Sequence, residues 1–305
     1  MIQMIRNPVP WPNGARVAVA VTFDIDVDSI LHLEHRERAE QMIAAQSVMR
    51  YDRISVRRIV DMFRAFGIKQ TFFFPAWCME RYPDLVDYIL EGGHEIAHHG
   101  YIHENPNEQS RDEERHWLCR GIETIERMTG RRPRGWRAPL YNFSKYSTDL
   151  LIEEGFLYDA SLMGDDVPYL LRSKAGELLE LPSHWGMDDW PQYAHLPEFG
   201  VLMPIKSPDE AMKVFLSEFE AMRKHGGLWI SVWHPTISGR LARCDRIATM
   251  IENMLKTGDV WFATMEEIAA HALACREAGT FEPSVEDMPP YEAPLPADVF
   301  AAQVR

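Results

Sequence analysis

Short apolar runs rich in β-branched and aromatic residues recur along this chain, and the segments between them return their apolar residues every three to four positions. This alternation is the strongest constraint on the fold. Strand–helix units in series place their strands side by side and parallel, with the helices packed outside, as an α/β sheet or barrel. Strands are predicted at residues 17–26, 70–75, 95–99, 135–139, 178–182, 228–234 and 260–264, several of them continuous apolar runs suited to strands covered on both faces. Helices are predicted at 55–66, 84–90, 111–128, 208–225, 243–255 and 265–277. The first stops before Gly67 and the second at Gly92-Gly93, where glycine suits a helix end.

Two regions break the alternation. Residues 28–51 form a polar insertion after the first strand, and residues 163–176 with 186–200 read as loops rich in Asp, Trp, Tyr and Pro, a length of connection that usually carries function. From Gly279 the chain turns proline-rich and acidic. A single β/α domain is therefore expected over residues 1–278, followed by an extended arm over 279–305 that either docks on a neighbouring subunit or is a loose tail.

Composition narrows the function. With 32 Lys and Arg against 46 Asp and Glu, the formal charge of −14 argues against nucleic acid or an anionic membrane surface as partner. The longest apolar stretches, 17–23 and 71–77, fall far short of the roughly 20 residues of a membrane helix. The first twelve residues lack the apolar core of a secretory signal, so a cytoplasmic location is expected. Four cysteines without a close pair suggest reduced, buried thiols rather than disulfides or a thiolate zinc site.

The chemistry concentrates in two places. The first strand ends Thr22-Phe23-Asp24-Ile25-Asp26, and alternation puts both acids on one face, roughly 6.5–7 Å apart, at the strand end where α/β enzymes build their sites. Two such acids repel unless a cation or basic group joins them. The second cluster, Gly93-His94-Glu95-Ile96-Ala97-His98-His99-Gly100-Tyr101-Ile102-His103, holds four of the chain's twelve histidines. A separation of four lets two imidazoles converge on one ion, and both His94/His98 and His99/His103 satisfy it. If 95–99 is a strand, His99 and His103 lie at the same rim as Asp24 and Asp26, and His94 lies at the other end.

In the order Thr22–Asp26, His98–His103, Trp136-Arg137-Ala138-Pro139 and Val232-Trp233-His234-Pro235, these motifs resemble the polysaccharide deacetylase (NodB-homology) superfamily, over about residues 16–270. The resemblance implies a distorted (β/α) barrel and a homo-oligomer. It implies one divalent metal held by Asp26, His99 and His103. Zinc is the first expectation, although cobalt, nickel or manganese suit the same ligands. It further implies Asp24 as general base, Arg137 as the residue orienting that base, His234 as general acid, and the backbone N–H of Leu140 as an oxyanion donor. Beyond the strand end at Pro182, Trp185, Asp188 and Asp189 supply an indole and two carboxylates for substrate contact; either acid is placed to orient His234.

The implied reaction is hydrolysis of a carbon–nitrogen bond other than a peptide bond. The chain has Thr-Phe-Asp-Ile-Asp where secreted chitin and peptidoglycan deacetylases commonly end in Asp-Asp-Gly. It looks more like the branch with cyclic imidases, allantoinases and peptidoglycan deacetylase-like proteins. Unlike the metal-independent allantoinases it keeps all three ligands. A small cyclic amide or imide is therefore the expected substrate, with N-deacetylation of acetylated amino sugars as the alternative.

Overall fold

The computed structural model describes residues 2–290. Ten strands form one sheet in the order β10-β1-β2-β3-β4-β5-β7-β6-β12, with β11 also paired to β1. They are β1 (Val17–Asp24), β2 (Thr71–Phe74), β3 (Glu95–His98), β4 (Gly135–Trp136), β5 (Tyr158–Asp159), β6 (Tyr169–Ser173), β7 (Gly176–Glu180), β10 (Leu228–Trp233), β11 (Val260–Phe262) and β12 (Val285–Asp287); β8 (His195–Leu196) and β9 (Val201–Leu202) make a separate hairpin. Every pair in the large sheet is parallel except β6–β7. The architecture is mixed α/β with a mostly parallel central sheet, as the strand–helix alternation predicts.

The distortion is a seam. Beside β10 the sheet continues not as a regular strand but as the segment after β7: Ser183 Oγ donates to the Ile230 carbonyl (3.1 Å), Val232 N–H to Met187 (3.2 Å) and Asp189 N–H to Val232 (3.1 Å).

Residue parity sorts the core. The odd residues Val17, Val19, Val21 and Phe23 of β1 pack outward under the long helices, among them Asp52–Phe66, Pro83–Glu91, Pro208–His225 and Leu241–Lys256. The even residues Ala18 and Ala20 meet Phe73, Ala97, Ala160 and Ile230 in the other core cluster, closed by helix Met265–Glu277 through Ile268 and Ala272. Small side chains let the walls approach, and the same parity carries Thr22 and Asp24 into the next layer up. Register levels the tops of the strands: Phe23 pairs with Trp233 and His98 with Trp136, so Asp24 stands beside His234 and His99 beside Arg137.

Several segments differ from the sequence expectation. The polar insertion folds as helices Ser29–Glu34 and Ile43–Met49 around a small core of Leu31, Ala39, Ala45 and Met49. The loop expected over 163–176 contains β6, whose Tyr169, Leu170 and Leu171 are buried through antiparallel pairing with β7. The 186–200 stretch contains helix Trp190–Tyr193 and β8. At the start of the expected arm, β12 pairs with β6 of its own chain, and residues 291–305 lie outside the described residues. Among the described residues no helix is long and apolar enough to cross a membrane.

Candidate metal centre and acid–base pair

Asp24, Asp26, His99, His103, Leu140, Trp185, Asp188 and His234 line one cavity of ≈ 80 Å³ at the C-terminal ends of the strands. Asp26 is its hub. Its Oδ1 lies 3.5 Å from His99 Nε2, and its Oδ2 lies 3.7 Å from both His103 Nε2 and His234 Nε2. Ligands of one tetrahedral ion at about 2.1 Å stand about 3.4 Å apart, so Asp26, His99 and His103 are spaced as a ligand set.

Two further observations test the fit. Asp26 Oδ1 is buried without a hydrogen-bond partner, a costly state for a carboxylate oxygen unless a cation faces it. His99 Nδ1 donates to the Arg137 carbonyl (2.8 Å), which leaves the Nε2 lone pair turned to Asp26. Burial lowers the His99 pKa to about 3, so the ring stays neutral, the form a metal needs. The donor set suits a divalent cation.

The histidine ambiguity resolves by position. His94 accepts from Gln70 N–H at the far end of the barrel (3.1 Å). His98 Nε2 lies 3.1 Å from the Leu118 carbonyl, and His98 Nδ1 accepts from Gly100 N–H (3.1 Å). Both pKa values fall to about 4, burial being the main cause, and neither ring reaches the cavity. Gly121 makes room for His98, since a Cβ there would lie 2.1 Å from Nε2.

Asp24 is gripped from behind. Arg137, fully buried and stacked 3.9 Å over the Phe73 ring, donates through Nη1 to Asp24 Oδ1 (2.6 Å) and Thr22 Oγ1 (3.0 Å), and through Nε to the Ala160 carbonyl (3.1 Å). Asp24 Oδ2 remains toward His99 Nε2, at 3.7 Å.

Asp189, not Asp188, faces His234. Its Oδ1 receives Nδ1–H at 2.7 Å, and its Oδ2 accepts from His234 N–H (2.9 Å) and Ser238 Oγ (2.5 Å). Burial alone would lower the His234 pKa, but Asp189, then Asp26 and Asp188, lift it well above the usual value. Asp189 is fully buried and does not line the cavity; its carboxylate meets His234 and Ser238 instead. Asp188 does line it, accepting from Tyr141 Oη (2.8 Å) and Trp190 N–H (2.7 Å).

Strain gathers around this cavity. Among the described residues five non-glycine residues have positive φ, and four ring the site: Val27 (45°), His103 (68°), Leu140 (56°) and Tyr141 (57°). Such conformations persist only where neighbours over-determine them. Val27 N–H is held by the buried Asp52 carboxylate (3.2 Å), which sets the turn after Asp26; Glu104 accepts from Tyr101 and Ile102 N–H (2.8–3.0 Å) and sets the turn between the two histidines. Sequence reasoning missed Asp52, Glu104 and Tyr141. Tyr141 sits two residues past the Arg-x-Pro segment and was within reach; the two acids look like ordinary helix-start and loop residues and gave no signal.

Leu140 and Trp185 form the outer wall, 56% and 51% exposed, with Trp185 edge-on to Tyr141 at 4.8 Å.

A family profile described as polysaccharide deacetylase matches residues 16–158. A peptidoglycan deacetylase-like protein of Gibberella zeae is 30% identical over 74% of this chain and 77% of its own length. The peptidoglycan deacetylase of Helicobacter pylori is 27% identical over 71% and 83%. A crystal structure from Mycobacterium smegmatis, named for the polysaccharide deacetylases, is 38% identical, covers 93% of this chain and 98% of that one, and superposes with a TM-score of 0.85.

Proposed function

Because the chain belongs to the polysaccharide deacetylase family, hydrolases of amide-type carbon–nitrogen bonds, we propose that it opens a small cyclic amide or imide in a metal-dependent reaction. The observation that carries this reading is the Asp26 carboxylate set between His99, His103 and His234 in a cavity of ≈ 80 Å³, well under the about 300 Å³ at which ordinary ligand pockets begin. Such a space takes one ring or one acyl group.

Asp26, His99 and His103 would hold the metal, with zinc as the first candidate. Bound there, a divalent cation supplies Lewis acidity, lowering the pKa of water and polarising the carbonyl. Asp24 takes the proton of the attacking water, its carboxylate held in position by Arg137. The Leu140 N–H donates to the developing oxyanion, the first backbone donor past Pro139. His234, its Nδ1–H bound to Asp189, presents Nε2–H to the cavity and protonates the departing nitrogen.

N-deacetylation of acetylated amino sugars is the second reading, favoured by the two relatives named for peptidoglycan. An acetamido group alone fits the cavity, with the sugar outside against Trp185. Purified protein is assayed with zinc on succinimide, hydantoin and dihydrouracil, and on acetylated chito-oligosaccharides. Ring opening is expected, lost on chelation and restored by zinc; release of acetate with no ring opening would establish the second reading. Asp24→Asn should cut kcat by roughly 10²–10⁴-fold with metal content unchanged.

A further inference from the structure

The small cavity shares part of its lining with a neighbouring space. Ile30, Leu140 and Trp190 also line a second space of ≈ 460 Å³, between the insertion and the β8–β9 hairpin. Its further apolar lining is Met49 and Leu196, both buried, with Phe199 and Val201, both half-buried. The two walls are fastened together. His35 packs against Phe199 with ring centroids 5.6 Å apart and planes tilted by 41°, its Nε2 lies 3.2 Å from the Glu198 carbonyl, and Phe199 packs on the small core of the insertion. At the rim stand the exposed carboxylates of Glu34 and Glu198.

We propose that this annex is the subsite for an apolar substituent of the substrate, so that the preferred substrates are aryl- or alkyl-substituted cyclic amides whose substituent bears no negative charge. The inference rests on the small-ring reading and deepens it. The reacting ring fills the inner cavity, too small for anything larger. The substituent crosses the shared wall and leaves water for an apolar surface, whereas a carboxylate entering there meets two rim acids. A hydroxyl-rich glycan gains little from such a surface.

Paired substrates test it: hydantoin, 5-benzylhydantoin and 5-carboxymethylhydantoin with the zinc-loaded enzyme. The benzyl compound should exceed the parent in kcat/KM by about tenfold or more, mainly through KM, and the carboxymethyl compound should fall below the parent. Phe199→Ala should reduce the benzyl-to-parent ratio at least about fivefold. Glu198→Lys, at an exposed position, should raise kcat/KM for the carboxymethyl compound relative to the parent. Equal kcat/KM for benzyl and parent compounds, or a ratio indifferent to Phe199→Ala, overturns the annex. If no ring opens at all, the small-ring reading falls by itself and calorimetry decides the annex separately: benzylhydantoin binding about tenfold tighter than hydantoin supports it, and equal or absent binding rejects it.

Discussion

Two buried acid–histidine clusters lie side by side in this molecule, Asp26-His99-His103 and Asp188-Asp189-His234, and each brings its ligand atoms within 4.8 Å of one another. By residue type both could hold a cation. They differ in what their oxygens already do. Asp26 Oδ1 has no partner, while Asp188 is engaged by Tyr141 Oη and Trp190 N–H, and Asp189 by His234 twice and by Ser238. The first cluster has bonding capacity left for an ion; the second has spent its capacity on a tyrosine hydroxyl, a backbone amide, a serine and the His234 imidazole. Unused valence, rather than composition, is what supports the proposed reading of the first as a metal site and the second as a proton-delivery pair.

The contrast can be broken by substitution. Asp26→Ala should remove bound zinc, read by elemental analysis, and lower kcat/KM by about a thousandfold or more, since several kcal/mol of charge stabilisation go with the ion. Asp189→Ala should leave metal content at the wild-type value and cost roughly 10–100-fold in kcat, as loss of an orienting partner does. Zinc lost from Asp189→Ala, or kept in Asp26→Ala, would reverse the two assignments.

Smaller effects sharpen it away from the cavity. Gly121→Ala drives a methyl into His98 and should destabilise by about 1–3 kcal/mol in denaturant melts, with kcat per folded molecule retained, because His98 packs and does not ligate. Glu95, at the closed end of the barrel, is a saturated acid for reference: it accepts from Thr71 Oγ1 (2.7 Å), Tyr158 Oη (2.8 Å) and Glu266 N–H (3.0 Å). Burial pushes its pKa up to about 7 from 4.5. Its folded value lies above the unfolded one, so its contribution to stability is present below about pH 4.5 and lost as pH rises through about 7. Between pH 5 and 8 the fall in Tm should therefore be shallower in Glu95→Gln than in the wild type.

Much of this was legible in the residues. Alternation located strands within a few positions, and strand parity put Asp24 on the inward face. The placement of His99 and His103 at the same rim followed from where β3 ends. What was hidden depends on chain crossings that spacing does not encode. Asp189 reaches His234 only because the segment after β7 lies along β10, and Asp52 reaches Val27 only because the insertion folds back as helices. The short β6 hid behind acidic neighbours, its burial supplied by pairing with β7 and β12.

The seam has a consequence for endurance. The join that closes the barrel consists of a few hydrogen bonds from an irregular segment, and that segment carries the partner of His234. On the other side of β10, the six-residue β10–β1 ladder and its overlying helices must come apart together. Fraying along residues 183–189 would let the imidazole swing loose while every ladder stays zipped, so that on warming the enzyme goes quiet at a lower temperature than the one at which it melts.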